Sequence, residues 1–143
     1  MATATTTTEI SADPAAVWAV LNDPARMAEW VSIHQGYVGE PPAAFDVGTR
    51  FTQRASIMGM PADVAWQLTE VEAPSRAAMS GNGPMGIAVS NLYTLVPSGA
   101  GTSVTWTMEF SGGMVMAVGA QLEGQVSAAQ RTSLDALKKI VEG

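Results

Sequence analysis

The segment Gly112–Gly143 constrains this chain more than any other. After two glycines it runs without a proline through MVMAVGAQLEGQVSAAQRTSLDALKKIVEG. Val118, Leu122, Val126, Ala129, Leu137 and Val141 recur at steps of three or four. That spacing draws one apolar stripe along a helix of about seven turns. Arg131, Lys138 and Lys139 fall towards its C-terminal half, where cations suit the helix dipole. Such a helix needs a broad apolar surface to lie on, and the rest of the chain reads almost entirely as strands that can provide one.

Thr3–Ile10, threonine-rich and β-branched, is a first strand. Ser11-Ala12-Asp13-Pro14 then starts a helix, with Ser11 or Asp13 as N-cap and Pro14 in its first turn. That helix carries Val17, Trp18, Val20 and Leu21 and stops near Asn22-Asp23. Pro24 opens a second short helix with Met27, Trp30 and Val31 on one side. From Ile33 the period becomes two, giving strands at 33–39, 49–58, 62–72, 76–81, 87–96 and 102–111. Turns are expected at Gly59-Met60-Pro61, Ala73-Pro74, Gly83-Pro84 and Pro97–Gly101. The last strand alternates most cleanly, with Val104, Trp106, Met108 and Phe110 facing inward and Ser103, Thr105, Thr107 and Glu109 outward. No internal repeat or linker divides the 143 residues, so one domain is expected.

The fold class that follows is α+β: a curved antiparallel sheet of about six or seven strands, two short helices after the first strand, and a long C-terminal helix in the sheet's grip. This order, with the phrases SADPAAVWAVLNDPARMAEW, GTRF, TEVEAPSR and YTLVPSGAGTSVTW, resembles the START-like, Bet v 1-like helix-grip superfamily. Within it the chain is most similar to bacterial proteins of the polyketide cyclase/dehydrase (SRPBCC) type. The resemblance spans nearly the whole chain and implies a cavity between sheet and helix; members include carriers, lyases, cyclases and receptors, so it implies fold more than function.

Composition removes several functions. The chain has no cysteine and one histidine, which excludes thiolate chemistry, disulfides and multi-histidine metal sites. Its net charge of −6, with no basic cluster, argues against nucleic acid. Glycine-rich phosphate loops and a nucleophile elbow are absent, and nothing calls for a cofactor. Neither a signal peptide nor a membrane span is expected, and the cytoplasm is the default location. Monomer and homodimer are both compatible with such a chain.

The resemblance places the ligand on the inward faces. Those are Phe51, Gln53, Ile57, Val64, Trp66 and Leu68, then Met79, Val89, Asn91, Tyr93, Trp106 and Met108. Val118, Leu122 and Val126 join them from the helix, with Trp30 at the mouth. Ordinary core packing is the alternative for each of them. Gln53, Asn91 and Tyr93 are polar groups on apolar faces, which either satisfy one another or orient a ligand's carbonyl or hydroxyl. Met58, Met60, Met79, Met85, Met114 and Met116, near turns and at the helix start, offer adaptable apolar surface.

Glu70 follows the Val64-Trp66-Leu68 face near a strand end, where the ordinary reading is a solvated sheet rim or a pair with Arg54 or Arg76; an inward carboxylate serving as a base is the alternative. His34, close to the expected entrance, reads as a surface or hydrogen-bonded structural residue. Arg50, Arg54 and Glu109 lie on solvated faces. The expected function is the binding or transport of a fatty acid, lipid or polyketide-like molecule. The alternative is a cyclase, dehydratase or aromatase using the same cavity through Asn91 and Tyr93, and an interaction module is a third reading. Gly113, Gly119 and Gly124 weaken the helix, so Met114–Val126 is expected to form the cavity's adjustable wall and Leu134–Val141 ordinary core.

Overall fold

The computed structural model describes residues 2–57 and 59–143, without the side chain of Met114, so the expectations for Met58 and for that side chain lie outside the described residues. Strand β1 spans Ala2–Ile10 and buries every second side chain, Ala2, Ala4, Thr6, Thr8 and Ile10. On its outer face the Thr5 and Thr7 hydroxyls meet those of Thr107 and Thr105 at 3.3 and 3.0 Å. Helix α1 (Pro14–Leu21) begins where the Asp13 carboxylate accepts the Ala16 N–H at 2.8 Å, with Pro14 in the first turn. A 3₁₀ turn, Pro24–Arg26, is capped the same way by Asp23 and leads into the one-turn helix α2, Met27–Trp30.

The remaining strands are β2 (His34–Val38), β3 (Arg50–Ile57), β4 (Met60–Glu72), β5 (Arg76–Asn82), β6 (Ala88–Ser98) and β7 (Gly101–Ser111). All neighbours are antiparallel and the sheet order is β1-β7-β6-β5-β4-β3-β2. Consecutive strands from β2 to β7 form a meander, and β1 closes onto β7. The chain's first two strands therefore stand at opposite edges, and the short helices span the gap between them. Helix α3 (Gly113–Glu142) lies in the concave face, mainly along β1, with α1 and α2 against it.

Two turns fall later or earlier than the sequence indicates. Pairing runs to Ile57–Met60, so β4 begins at Met60 and Pro61 stands opposite Ser56. Likewise β6 continues through Pro97 to Ser98 opposite Gly101, leaving Gly99-Ala100 as the loop. Gly99 takes φ 57°, the conformation a two-residue hairpin demands at its first position. Both prolines sit beside a reversal, where the ladder needs no further donor.

A bulge in β4 has larger consequences. The β4–β5 register slips between Leu68 and Glu70, so Leu68 faces Met79 but Glu70 faces Ala78. One extra residue inverts the alternation. Glu70 consequently leaves the Val64-Trp66-Leu68 face and forms an ion pair with Arg76 at 2.8 Å, both side chains partly exposed. The pairing with Arg76 is the ordinary reading of Glu70, and the alternative of an inward carboxylate is set aside.

Helix α3 is held by polar contacts as well as by its stripe. Leu134 and Leu137 are fully buried, and so are Gln130 and Ser133. The Gln130 amide donates to the Ala4 and Trp106 carbonyls at 3.0 and 3.2 Å and accepts from the Thr6 hydroxyl at 2.8 Å. Ser133 Oγ accepts the Ser32 N–H at 2.8 Å and donates to Ala129 O at 2.7 Å. Towards the N-terminus the grip loosens: Val115 and Leu122 are buried, Val118 is half-buried and Met116 is 85% exposed. A Cβ added at Gly119 or Gly124 would meet nothing within 4 Å. Gly124→Ala should therefore raise the unfolding free energy by about 1 kcal/mol, the ordinary helix-interior difference. Urea denaturation checks this, and a loss of stability would refute the open space at that position.

Candidate functional site

The concave face is built from alternate residues of five strands, and register decides which of them meet. Phe51 stands opposite Trp66, Trp66 opposite Gly81, and Met79 opposite Asn91. Asn91 in turn faces Met108, and Tyr93 faces Trp106. Gly81 is where the backbone must make room. A Cβ there would lie 2.7 Å from the Trp66 ring and 2.9 Å from Val64, so glycine lets the indole lie across β5.

Between this face and the middle of α3 lies a chamber of about 190 Å³. Ile57, Val64, Trp66, Val89, Trp106 and Met108 line it from the sheet, and Val126, Ala129, Gln125 and Gln130 from the helix. A smaller inner chamber of about 20 Å³ is lined by Phe51, Met79, Asn91 and Tyr93, with Met27 and Val31 from the α2 region. Ile33, Gln53, Trp66, Trp106 and Met108 border both, so the two adjoin. Neither lining contains Lys, Arg, Asp, Glu or His among the described residues.

Two hydrogen-bonded chains cross the face. In one, the Trp66 Nε1–H donates to Gln53 Oε1 at 3.0 Å, and Gln53 Nε2 donates to His34 Nδ1 at 2.9 Å and approaches the Met27 sulfur at 3.2 Å. The indole fixes the amide's orientation, and the amide then requires a lone pair on His34 Nδ1. A β2 bulge between His34 and Gly36 turns both His34 and Tyr37 towards β3's inner residues, opposite Ala55 and Gln53. In the other chain the Trp106 Nε1–H donates to Asn91 Oδ1 at 2.6 Å. Asn91 Nδ2 is buried without a hydrogen-bond partner, as is Trp30 Nε1. The Tyr93 phenol is fully buried beside Asn91, and burial pushes its pKa well above the usual range, against an opposing pull from the Asn91 amide. It is a proton donor at any physiological pH.

Burial also holds the His34 imidazole below its ordinary 6.5. The neutral form is the one that accepts from Gln53. Because the unfolded chain binds a proton at 6.5 and the folded one resists it, the stability tied to neutral His34 is complete above that pH. It is lost as pH falls below 6.5 towards the lowered folded value. Hydrogen bonds hold Glu9, Glu29 and Glu142 below 4.5, so their contribution is lost only further into acid. Unfolding free energy should accordingly fall between pH 7.5 and 5.5 in the native chain and stay flatter in His34→Leu. Equal slopes in urea titrations would reject this.

Most of the sequence-derived candidates come together around the two chambers. Ile57, Val64, Val89 and Val126 border the outer one, Phe51, Met79, Asn91 and Tyr93 the inner one, and Gln53, Trp66, Trp106 and Met108 both. Four do not. Trp30 is not at a mouth: it is 3% exposed, with ring centroids 5.8 Å from Tyr93 and 5.9 Å from Trp106. Leu68 and Leu122 are buried in core away from the chambers, and Val118 is half-buried. The helix lines the chamber with Gln125, Val126, Ala129 and Gln130, so of the expected Met114–Val126 wall only the end, Gln125 and Val126, takes part among the described residues. Gln130, Gln125, Ile33 and Ser56 are lining residues that pattern reading missed. A glutamine four residues after Val126 was the available signal, since it continues the apolar stripe. Among the described residues no group of His, Asp or Glu is placed to hold a metal ion, and no described helix is long and apolar enough to cross a membrane.

Comparison with known proteins gives the same architecture. A family model described as polyketide cyclase / dehydrase and lipid transport matches residues 1–142. Rv1546, an uncharacterized protein of Mycobacterium tuberculosis, is 30% identical over 108 residues, covering 73% of this chain and 76% of its own. The crystal structure of CV1439 from Chromobacterium violaceum superposes with a TM-score of 0.76 at 18% identity, over 100% of this chain and 99% of that one. DynU16, from the dynemicin biosynthetic locus, superposes with a TM-score of 0.72 at 17% identity, over 99% of this chain and 48% of its own. At such identities the superpositions establish fold alone.

Proposed function

The chain belongs to the polyketide cyclase/dehydrase and lipid transport family, and from that premise we propose that it binds a hydrophobic small molecule, of lipid or polyketide-like type, between its sheet and α3. The observation that carries this reading is the outer chamber of about 190 Å³, walled mainly by aliphatic and aromatic side chains, with Gln53, Ser56, Gln125 and Gln130 as its polar members and no charged group among the described residues. A core packed to ordinary density has few voids larger than a water molecule. Drug-sized ligands occupy about 300–1,000 Å³, so the occupant is compact unless α3 shifts outward. The loosely held N-terminal turns of α3 and the adaptable methionines are the parts best suited to such a shift.

Trp66 and Trp106 both border the chamber and report on it directly. Titration with apolar probes should shift and quench their emission, and a probe at a hundredfold excess over its Kd should stabilise the fold by about 2.7 kcal/mol. Ala129→Trp, which fills the chamber from the helix side, should abolish the response while the protein remains folded. A native chain that responds to no apolar probe by fluorescence, melting or native mass spectrometry would overturn the reading.

A further inference from the structure

The inner chamber carries information about the ligand's chemistry. Asn91 is only 3% exposed, and its orientation is not free. The Trp106 N–H donates to Oδ1 at 2.6 Å, so flipping the amide would set two donors against each other. Both hydrogens of Nδ2 are thereby committed as donors, and Nδ2 has no acceptor. A buried polar atom without a partner is rare and needs an explanation. The Tyr93 phenol lies beside it and is held protonated by burial. Gln53, the other amide of this region, already has Trp66 on its oxygen and His34 on its nitrogen. The neighbouring Tyr93 phenol oxygen does not meet Asn91 Nδ2 in hydrogen-bond geometry, so the inner chamber leaves this donor open to an acceptor oxygen.

Its volume of about 20 Å³ suits one such atom, since a water-sized group needs roughly 10–15 Å³ by this measure. The adjoining outer chamber, about 190 Å³ and mostly apolar, suits a hydrocarbon body; an engineered cavity of about 150 Å³ holds benzene. No cation borders either chamber among the described residues. A carboxylate placed there would be a buried charge with no counter-charge, whereas a carbonyl oxygen offers two lone pairs and no charge.

We propose that the site selects an uncharged, compact carbonyl compound, seating its oxygen on Asn91 Nδ2 with Tyr93 alongside and its hydrocarbon body in the outer chamber, and that it rejects the corresponding carboxylate. This specificity rests on the chamber being a ligand site at all. It also narrows the ligand: a free fatty acid, ionised at neutral pH, is the wrong partner, and a ketone, quinone, ester or lactone is the right one.

Three matched probes test the proposal by titration of the native protein at pH 7.5: indane, 1-indanone and indane-1-carboxylate. The ketone should bind about tenfold tighter than the hydrocarbon, the equivalent of one good hydrogen bond, and the carboxylate should not saturate. Infrared spectra of carbonyl-labelled 1-indanone should show its stretch moved to lower frequency on binding, relative to the probe in hexane. Asn91→Leu should erase the difference in affinity between ketone and hydrocarbon, both measured in that variant. Because that variant also strips Trp106 of its acceptor and could fail to fold, the infrared shift in the native chain and the milder Tyr93→Phe variant stand as independent readings. Equal affinity for ketone and hydrocarbon with an unshifted carbonyl band, the sign of a resident water on Asn91, overturns this inference and leaves the cavity reading intact. Carboxylate binding as tight as ketone binding overturns it too. Failure of all three probes to bind would instead count against the cavity reading itself.

Discussion

Gln130→Leu is expected to lower the unfolding free energy by about 3 kcal/mol. The side chain is fully buried and makes three hydrogen bonds, to Thr6, Ala4 and Trp106, that tie α3 to β1 and β7. Leucine fills most of the same space and excludes water, so the Thr6 hydroxyl and the two carbonyls are left without the amide. Each buried orphan costs about 1–3 kcal/mol, and the sum is less than additive because the strand backbone can relax. Gln130→Ala should cost less than a large-to-small change normally does, since the residue borders the outer chamber and water can enter behind it. Thr6→Val alone should cost about 1 kcal/mol. In the Gln130→Leu background its cost should almost vanish, which a double-mutant cycle in urea reads directly. A Gln130→Leu variant within 1 kcal/mol of the parent, by the same scale of orphan costs, would mean that the amide does not pin the helix.

The second large effect is expected at Gly112, the residue that turns β7 into α3. Its backbone, φ 125° and ψ 164°, lies in a region essentially reserved for glycine. A Cβ there would also lie 2.8 Å from Gly86 O and 3.4 Å from Ile87 Cα, both backbone atoms of the β5–β6 connection. Strain of about 1–3 kcal/mol adds to an overlap that no rotamer change relieves. Gly112→Ala should therefore cost about 3 kcal/mol, whereas Gly113→Ala, where an added Cβ meets nothing within 4 Å, should be neutral or stabilising. Equal melting temperatures for the two variants would contradict the geometry of this junction.

Both sites show where reading the sequence stops. The glycine pair at the start of α3 was visible, but only the approach of Gly86 shows that the first of the two is irreplaceable and the second is not. Gln130 sits on the apolar stripe and ties the helix to β1 and β7 through three hydrogen bonds, which hydrophobic spacing does not register. Asn91 and Tyr93 were identifiable as polar residues on an inward face. That Asn91 keeps an unpaired donor depends on Trp106, fifteen residues away on the next strand.

What the sequence determined by itself is the set of local periodicities: alternation in the strands, a stripe in the last helix, proline- and aspartate-marked helix starts. Side-chain direction in a strand or helix follows from backbone geometry alone, so those patterns sufficed for the architecture and the inward faces, while the family rested on the resemblance of phrases such as TEVEAPSR and YTLVPSGAGTSVTW. Tertiary structure decided everything that depends on register or on approach between distant segments. The bulge between Leu68 and Glu70 moved a carboxylate from the inner to the outer face and into a pair with Arg76. The line along which α3 lies put the chamber under Gln125–Gln130 and not under its glycine-rich start. A one-residue slip or a few ångströms of helix position leaves no mark on composition or spacing, yet it determines which polar atoms are satisfied and which are left for a ligand.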